Sequence, residues 1–227
     1  MRPIRAVLFD WGDTLFASPD AAQIIVEAAE EQGVSLRYMD AQALWQEIWA
    51  AGKTPAELAR GRDLSLDLHR AAWTALFERA HRVAPGIAPA LYERVMSQER
   101  WVPYADTEST LRALRQRGVR IGVVSNVPRD LAPIFQARGL PALVDGFTHS
   151  FEVGVEKPDR RIFLAACEQL GVSPDEALMV GDHAVADGGA VAAGLRFLHL
   201  DGEVPPGGRR GLAAVLGLVD ASRSSGA

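Results

Sequence analysis

Residues 4–14 read IRAVLFDWGDT. The apolar run from Ile4 to Phe9 contains Val, Leu and Phe, and it ends at the carboxylate of Asp10, which a glycine-containing turn follows. Short apolar runs of this kind are typical of buried parallel strands, because helices cover both faces of such a strand. We therefore expect a strand here, with Asp10 at its carboxyl end.

Four further apolar runs have the character of strands, and amphipathic helical patterns lie between them. The runs are Val119 to Val124, Phe147 to Phe151, Ala177 to Val180 and Leu195 to Leu200, and the pattern is weakest at Phe147 to Phe151. The alternation of strand and helix predicts βαβ units and an α/β fold with a parallel sheet.

Capping residues predict where two of the helices begin and end. Asp106 or Thr107 is expected to cap a helix over Leu111 to Arg117. Pro158 is expected to open a second helix, which ends near Gly171.

One long stretch breaks the alternation of strand and helix. From about Pro19 to about Gln98 the sequence has helical periodicity and no convincing strand. Roughly 80 residues are too many for a loop, so they predict a second, helical lobe inserted between the first and second strands. Open α/β sheets bind ligands beyond the carboxyl ends of their strands, and we expect this lobe to lie there.

Composition excludes several classes of function. The chain has 227 residues, a formal net charge of -5 and a pI near 5.6, so no basic surface is expected to bind nucleic acid or an anionic membrane. The single cysteine, Cys167, lies in an apolar helical pattern and is expected to fill the core. The apolar stretch near the N-terminus is too short for a signal sequence or a membrane span, which predicts a cytoplasmic protein. The sequence leaves the oligomeric state open between a monomer and a small homo-oligomer.

Polar residues follow the predicted strands in four clusters. They are Asp10-Trp-Gly-Asp-Thr14, Ser125-Asn126, Lys157-Pro158, and Gly181-Asp182 with Asp187. The carboxyl ends of parallel strands converge on one crevice, so these clusters are expected to lie together. Carboxylates, a hydroxyl donor and a fixed cation are the groups that hold a divalent, oxygen-seeking metal ion beside an anionic phosphoryl group.

The order and spacing of the four clusters resemble the haloacid dehalogenase superfamily, in its phosphatase-like branch with a helical cap after the first strand. The resemblance covers essentially the whole chain. It implies a Rossmann-like parallel sheet core, residues 1–18 and 100–227, with an inserted all-helical cap, residues 19–99. It also implies a Mg²⁺-dependent hydrolase that acts on a small phosphorylated metabolite.

The resemblance implies a role for each residue that would touch the phosphoryl group. Asp10 would attack phosphorus and form an aspartyl-phosphate, which splits one hard displacement into two easier ones. Ser125 and Asn126 would donate hydrogen bonds to phosphoryl oxygens. Lys157 would neutralise charge shared between Asp10 and the phosphoryl group.

The resemblance also implies a set of metal ligands. Asp10, the carbonyl of Gly12 and Asp182 would bind Mg²⁺, whereas Asp187 would act through water or orient the site. Thr14 would stabilise the turn that supports Asp10.

Gly12 departs from the phosphatase pattern. Phosphatases of this family carry a second aspartate two residues after the nucleophile, which protonates the leaving group and later activates water. Gly12 keeps only the metal-binding carbonyl, so general acid–base help worth typically ~10²–10⁴-fold is lost or borrowed. Asp13 and His183 are the candidate substitutes, and Gly12 predicts a slow or selective enzyme.

Three alternatives remain open from the sequence. A 2-haloacid dehalogenase would use the same carboxylate on carbon without a metal, and a phosphonatase would need a cap lysine, for which Lys53 is the candidate. A catalytically silent protein would bind a phosphorylated ligand or a partner through the same pocket. Lys53, Arg60 and Arg62 are in addition candidates for a substrate-facing loop of the helical lobe.

Overall fold

The computed structural model describes residues 2–95 and 97–224. The chain divides after Ser18 and before Trp101 into two compact units. We call residues 2–18 and 101–224 the sheet unit, and the described residues between them the helical unit. Their roles as catalytic core and cap stay predictions.

Seven strands lie in the sheet unit. In chain order they are β1 (Ala6–Phe9), β2 (Phe16–Ala17), β3 (Val102–Pro103), β4 (Arg120–Ser125), β5 (Gly146–His149), β6 (Ala177–Gly181) and β7 (Arg196–His199). Five of them form one sheet in the order β5-β4-β1-β6-β7, and each neighbouring pair is parallel. β2 and β3 form a separate antiparallel ribbon, in which Ala17 pairs with Val102.

Ten α-helices complete the described chain. The helical unit contains α1 (Ala21–Glu30), α2 (Tyr38–Gly52), α3 (Pro55–Leu58), α4 (Leu66–Phe77) and α5 (Ala88–Val95). The sheet unit contains α6 (Thr107–Gln116), α7 (Ala132–Ala137), α8 (Ser150–Val153), α9 (Arg160–Leu170) and α10 (Ala213–Ser224). A 3₁₀ helix, Asp187–Ala193, follows β6.

The alternation of side chains along β1 builds a core on each face of the sheet. Val7 and Phe9 belong to the cluster that packs against α6, α7 and α10. Ala6 and Leu8 belong to the opposite cluster, which packs against α9. Cys167 lies in this second cluster and is buried, as its sequence pattern predicted. The predicted α/β fold with a parallel sheet is therefore confirmed.

The predicted bounds of two elements differ from the structure. β5 ends at His149, not at Phe151, because Ser150 already begins the short helix α8. α9 begins at Arg160, two residues after Pro158, and the carboxylate of Asp159 caps it by accepting from the backbone N–H of Arg161.

Asp106 is the N-cap residue of α6, as predicted, but the expected side-chain capping is not found. The helix does begin at Thr107, but neither candidate side chain caps it. The buried carboxylate of Asp106 accepts hydrogen bonds from the backbone N–H groups of Arg210, Gly211 and Leu212 (2.8–3.0 Å), and the Thr107 hydroxyl donates to the carbonyl of Leu15 (2.7 Å). Both side chains therefore join distant segments of the sheet unit.

The helical unit has its own apolar core and no strand among its described residues. Trp45, Trp73 and Phe77 pack together there, and the ring centroids of Trp45 and Trp73 are 6.3 Å apart. Over residues 2–95 and 97–224, no helix combines the length and the apolar character needed to cross a bilayer.

Candidate active site

A buried lysine lies between two carboxylates at the carboxyl end of the sheet. Asp10 directly follows β1, and its backbone N–H donates to the carbonyl of Val180 in β6 (2.9 Å). Lys157 Nζ is 2.7 Å from Asp10 Oδ1 and 2.6 Å from Asp187 Oδ1. The side chains are 3% exposed for Lys157, 14% for Asp10 and 0% for Asp187. Of the three groups, Asp10 is therefore the most accessible.

Lys157 uses all three of its N–H bonds within the protein. Its third acceptor is the carbonyl of Val124 in β4, at 3.0 Å. An ammonium group has three donors, so none remains for a phosphoryl oxygen in this arrangement. Lys157 therefore acts on Asp10 by charge and position.

Asp182 completes a cluster of three carboxylates with Asp10 and Asp187. One oxygen of each of the three lies within 4.8 Å of one oxygen of the others. Asp182 Oδ1 accepts from the Thr14 hydroxyl (3.2 Å), which links the turn after β1 to Asp182. Asp187 has both oxygens engaged, since its Oδ2 accepts from the backbone N–H of His183 (2.9 Å).

The donor set of this cluster suits Mg²⁺. Three carboxylates offer hard oxygen ligands, which this ion prefers. Asp10 and Asp182 each keep one oxygen outside these hydrogen bonds, whereas Asp187 is held by Lys157 and His183. The cluster therefore fits an ion that Asp10 and Asp182 would ligate directly, while Asp187 would act through water or orient the site.

Burial and mutual repulsion perturb the protonation of this cluster. Burial, together with the charges of Asp187 and Asp182, raises the pKa of Asp10 to about 7 despite the opposing charge of Lys157. Burial and the charge of Asp187 also raise the pKa of Asp182. Burial by itself lowers the pKa of Lys157, but the charges of Asp10 and Asp187 outweigh it and the pKa is raised. A dication among the carboxylates would favour their charged forms, which is the state that a nucleophile needs.

Two glycines allow the segments of the site to approach each other. A Cβ atom on Gly181 would lie 2.1 Å from Oδ2 of Asp187, so this carboxylate occupies the place of a side chain. A Cβ atom on Gly189 would lie 2.6 Å from the carbonyl oxygen of Pro158. Close packing at these glycines thus holds the Asp187 segment against β6 and against the Lys157 loop.

The side chain of Asn126 contacts the backbone of Lys157. Its Nδ2 donates to the Lys157 carbonyl (3.1 Å), and its Oδ1 accepts from the Lys157 N–H (2.7 Å). These two bonds hold the amide against Lys157 but leave the second N–H of Nδ2 unused, so donation from Asn126 to a phosphoryl oxygen stays a prediction. Ser125, at the end of β4, is buried, and no described residue is a hydrogen-bond partner of its hydroxyl.

The turn after β1 presents the carbonyl of Gly12. The backbone carbonyl of Trp11 accepts from the N–H of Phe16 (3.0 Å), and the N–H of Asp13 donates to the carbonyl of Phe16 (2.7 Å). The carbonyl of Gly12 is opposite the Asp13 N–H in the same planar peptide, so it is directed away from Phe16. Its metal-binding role stays a prediction.

Both candidate substitutes for the acid–base residue make local hydrogen bonds, and their catalytic roles stay predictions. Asp13 has a left-handed backbone (φ 52°), and its Oδ1 accepts from the N–H of Ser18 (3.0 Å). His183 is exposed, and its Nδ1 accepts from the N–H of Ala186 (3.1 Å). Both side chains stabilise local turns.

The three candidate substrate residues lie in the helical unit. Lys53 Nζ is 4.4 Å from the centroid of the Trp49 ring, and Arg60 pairs with Glu57 at 3.0 Å. Arg62 is buried and donates to the carbonyl of Gly52 (2.8 Å). Arg62 therefore packs within the helical unit, and the substrate roles of Lys53, Arg60 and Arg62 stay predictions.

Arg210 supports the site and was missed by sequence reasoning. Its guanidinium donates to the carbonyls of Asp13 (2.7 Å), Leu200 and Asp201 (3.1 Å). These bonds fasten the turn after β1 to the segment after β7. The segment around Arg210 is rich in glycine and proline, and nothing local in it signals a hydrogen bond to the carbonyl of Asp13, 197 positions away.

Comparisons with known proteins identify similar hydrolases. A family model described as haloacid dehalogenase-like hydrolase matches residues 4–194. The chain is 32% identical to phosphoserine phosphatase of Thermus thermophilus, over 89% of this chain and 91% of that protein. It is 30% identical to glyceraldehyde 3-phosphate phosphatase of Methanopyrus kandleri, over 85% and 82%. A 2-haloacid dehalogenase structure from Pseudomonas syringae pv. Tomato DC3000 shares the fold, with a TM-score of 0.61 and 21% identity over 96% and 99% of the two chains.

Proposed function

The chain belongs to the haloacid dehalogenase-like hydrolases, and on that premise we propose that it is a Mg²⁺-dependent phosphatase of a small phosphorylated metabolite. The observation that carries the proposal is the contact of Lys157 with both Asp10 and Asp187, beside Asp182. Phosphatases among the relatives support the same reaction class. The identity of the metabolite is left to experiment.

Asp10 is the proposed nucleophile. Its oxygen forms a bond to phosphorus while the bond from phosphorus to the leaving oxygen breaks, and the electron pair stays on the leaving group. Water then attacks the aspartyl-phosphate, which releases phosphate and restores the carboxylate. When bound, Mg²⁺ supplies positive charge to the phosphoryl oxygens and to the carboxylates.

The other residues of the site hold Asp10 in its reactive state. Lys157 keeps its positive charge beside Asp10 and favours the ionised carboxylate. Asn126 fixes the backbone of Lys157, and Ser125 offers a hydroxyl to a phosphoryl oxygen. Since no side chain at position 12 can transfer a proton, turnover is slow or restricted to good leaving groups.

Phosphate release from small phosphomonoesters tests the proposal. Wild-type protein with Mg²⁺ should hydrolyse 4-nitrophenyl phosphate, Asp10→Asn should abolish turnover, and EDTA should suppress it. Asp220→Asn is the control and should keep wild-type turnover, because this exposed carboxylate only pairs with Arg117 at 2.9 Å. Acid quenching during turnover should trap phosphate on Asp10, read by peptide mass spectrometry.

Three results would reject the proposal in favour of another function. Unchanged turnover in Asp10→Asn would show that Asp10 is not the nucleophile. Chelator-insensitive halide release from a 2-haloacid would indicate a dehalogenase. Binding of a phosphate analogue without any turnover would indicate a silent phospho-ligand protein.

A further inference from the structure

An indole ring fills the space above Gly12. A Cβ atom on Gly12 would lie 3.2 Å from Cζ3 and 3.3 Å from Cη2 of Trp101, closer than ordinary van der Waals contact. The backbone of Gly12 is outside the left-handed region, so glycine is not required there by its φ angle. The space taken by Trp101 is therefore what favours glycine at position 12.

Trp101 is held in this position by contacts within the sheet unit. Its ring packs against Trp11, with the centroids 4.2 Å apart. Its carbonyl accepts from the guanidinium of Arg138 (3.0 Å), and the next residue, Val102, pairs with Ala17 in the β2–β3 ribbon. The hydrogen bond and the ribbon fix the backbone that carries the ring, and moving the ring away from Gly12 would break its contact with Trp11.

The contact between Trp101 and Gly12 lies two residues from the proposed nucleophile. The chain bends at Trp11, between Asp10 and Gly12, and Gly12 forms an isolated β-bridge with Phe16. The ring of Trp101 packs against both Trp11 and Gly12, so it occupies the space that a side chain at position 12 would enter.

We propose that Trp101 is a specificity-determining residue of this site. Its apolar ring edge takes the place of a proton donor at position 12, and the site therefore selects substrates with good leaving groups. The inference rests on the proposed phosphatase function. When the bond from phosphorus to the leaving oxygen breaks, a stable phenolate carries the electron pair without a proton. An alkoxide needs a proton, and the ring edge of Trp101 has none to give, so water must supply it.

A leaving-group comparison tests the inference. The substrates are 4-nitrophenyl phosphate and phenyl phosphate, which differ little in shape but strongly in leaving-group basicity. Gly12→Asp alone should lower kcat/KM for both, because its side chain meets the indole. Gly12→Asp combined with Trp101→Ala should narrow the preference for 4-nitrophenyl phosphate by tenfold or more relative to Trp101→Ala alone, because an acid then has room to act. An unchanged preference in the double variant would overturn the inference.

Thermal unfolding tests the packing without relying on activity. Gly12→Ala should lower Tm by roughly 2–10 °C in the wild-type background and by much less in a Trp101→Ala background. Gly217→Ala is the control, because a methyl group at this position of α10 would have no atom within 4 Å. Additive Tm shifts for Gly12→Ala and Trp101→Ala would overturn the steric argument. Absence of turnover in the wild type, with clear coupling in Tm, would instead reject the phosphatase function.

Discussion

Removal of the Lys157 ammonium is the most direct test of the buried charge network. Lys157→Met keeps a long apolar side chain but leaves the carboxylates of Asp10 and Asp187 without their cation. Breaking a buried ion pair from one side costs about 3–5 kcal/mol, because a buried charge loses its partner. For a chain of this size each kcal/mol shifts Tm by roughly 2–4 °C, so we expect Tm to fall by roughly 6–20 °C at neutral pH without metal.

The chain provides a matched control, because it contains only one other lysine. Lys53→Met removes an ammonium that lies over the Trp49 ring, in a half-exposed position. A cation–π contact of this kind is worth about 0.5–1 kcal/mol, so Tm should fall by less than about 4 °C. Circular dichroism melts of both variants beside wild type provide the comparison.

Metal and acid should each rescue Lys157→Met. Mg²⁺ should restore part of the lost Tm, because a dication replaces the missing positive charge. Lowering the pH to 5 should also reduce the difference from wild type, because the buried carboxylates then take up protons. A Tm within about 2 °C of wild type in EDTA at pH 7.5 would refute the electrostatic account of this site.

Three further predictions concern the same end of the sheet. Burial raises the pKa of Asp10 from an ordinary 3.8 to about 7, so between these two pH values the folded state keeps a proton that the unfolded state releases. The metal-free free energy of unfolding should therefore fall as pH rises through this window. Urea melts of Asp10→Asn should lack this part of the pH dependence. In urea melts, Gly189→Ala should lower the free energy of unfolding by about 1–3 kcal/mol, because its methyl group meets Pro158. Gly188→Ala should leave this free energy nearly unchanged, because its nearest contact would be at 3.5 Å. Asn126→Ala should lower kcat roughly 10–100-fold with a smaller change in KM, because the backbone of Lys157 loses its two hydrogen bonds to the Asn126 amide. A change in KM as large as the change in kcat would argue for direct contact of Asn126 with substrate.

The sequence predicted the sheet and the meeting of its charged residues. Strand ends in a parallel sheet converge, so Asp10, Lys157, Asp182 and Asp187 could be placed together from their positions after apolar runs. Their close approach in the structure follows from that topology. No knowledge of side-chain conformation was needed for this step.

Long-range hydrogen bonds and packing could not be predicted in the same way. Asp106 has the local pattern of a helix cap, but three backbone N–H groups near position 211 compete for its carboxylate. Asn126 follows a strand as a turn residue would, yet its partner is the backbone of Lys157, 31 positions away. The ring of Trp101 over Gly12 is equally invisible, because local patterns carry no information about which distant side chain fills a space.

The antiparallel ribbon of β2 and β3 makes the helical insert exchangeable. Ala17 and Val102 are Cα partners, so the chain leaves and re-enters the sheet unit at points within about 5.5 Å of each other. A two-residue hairpin turn spans such a gap. Residues 19–100 could accordingly be replaced by a tight turn, or by a helical module from another hydrolase, while every strand pairing of the sheet unit is kept. Transplantation of such modules would test the prediction that the helical unit acts as the cap of this hydrolase.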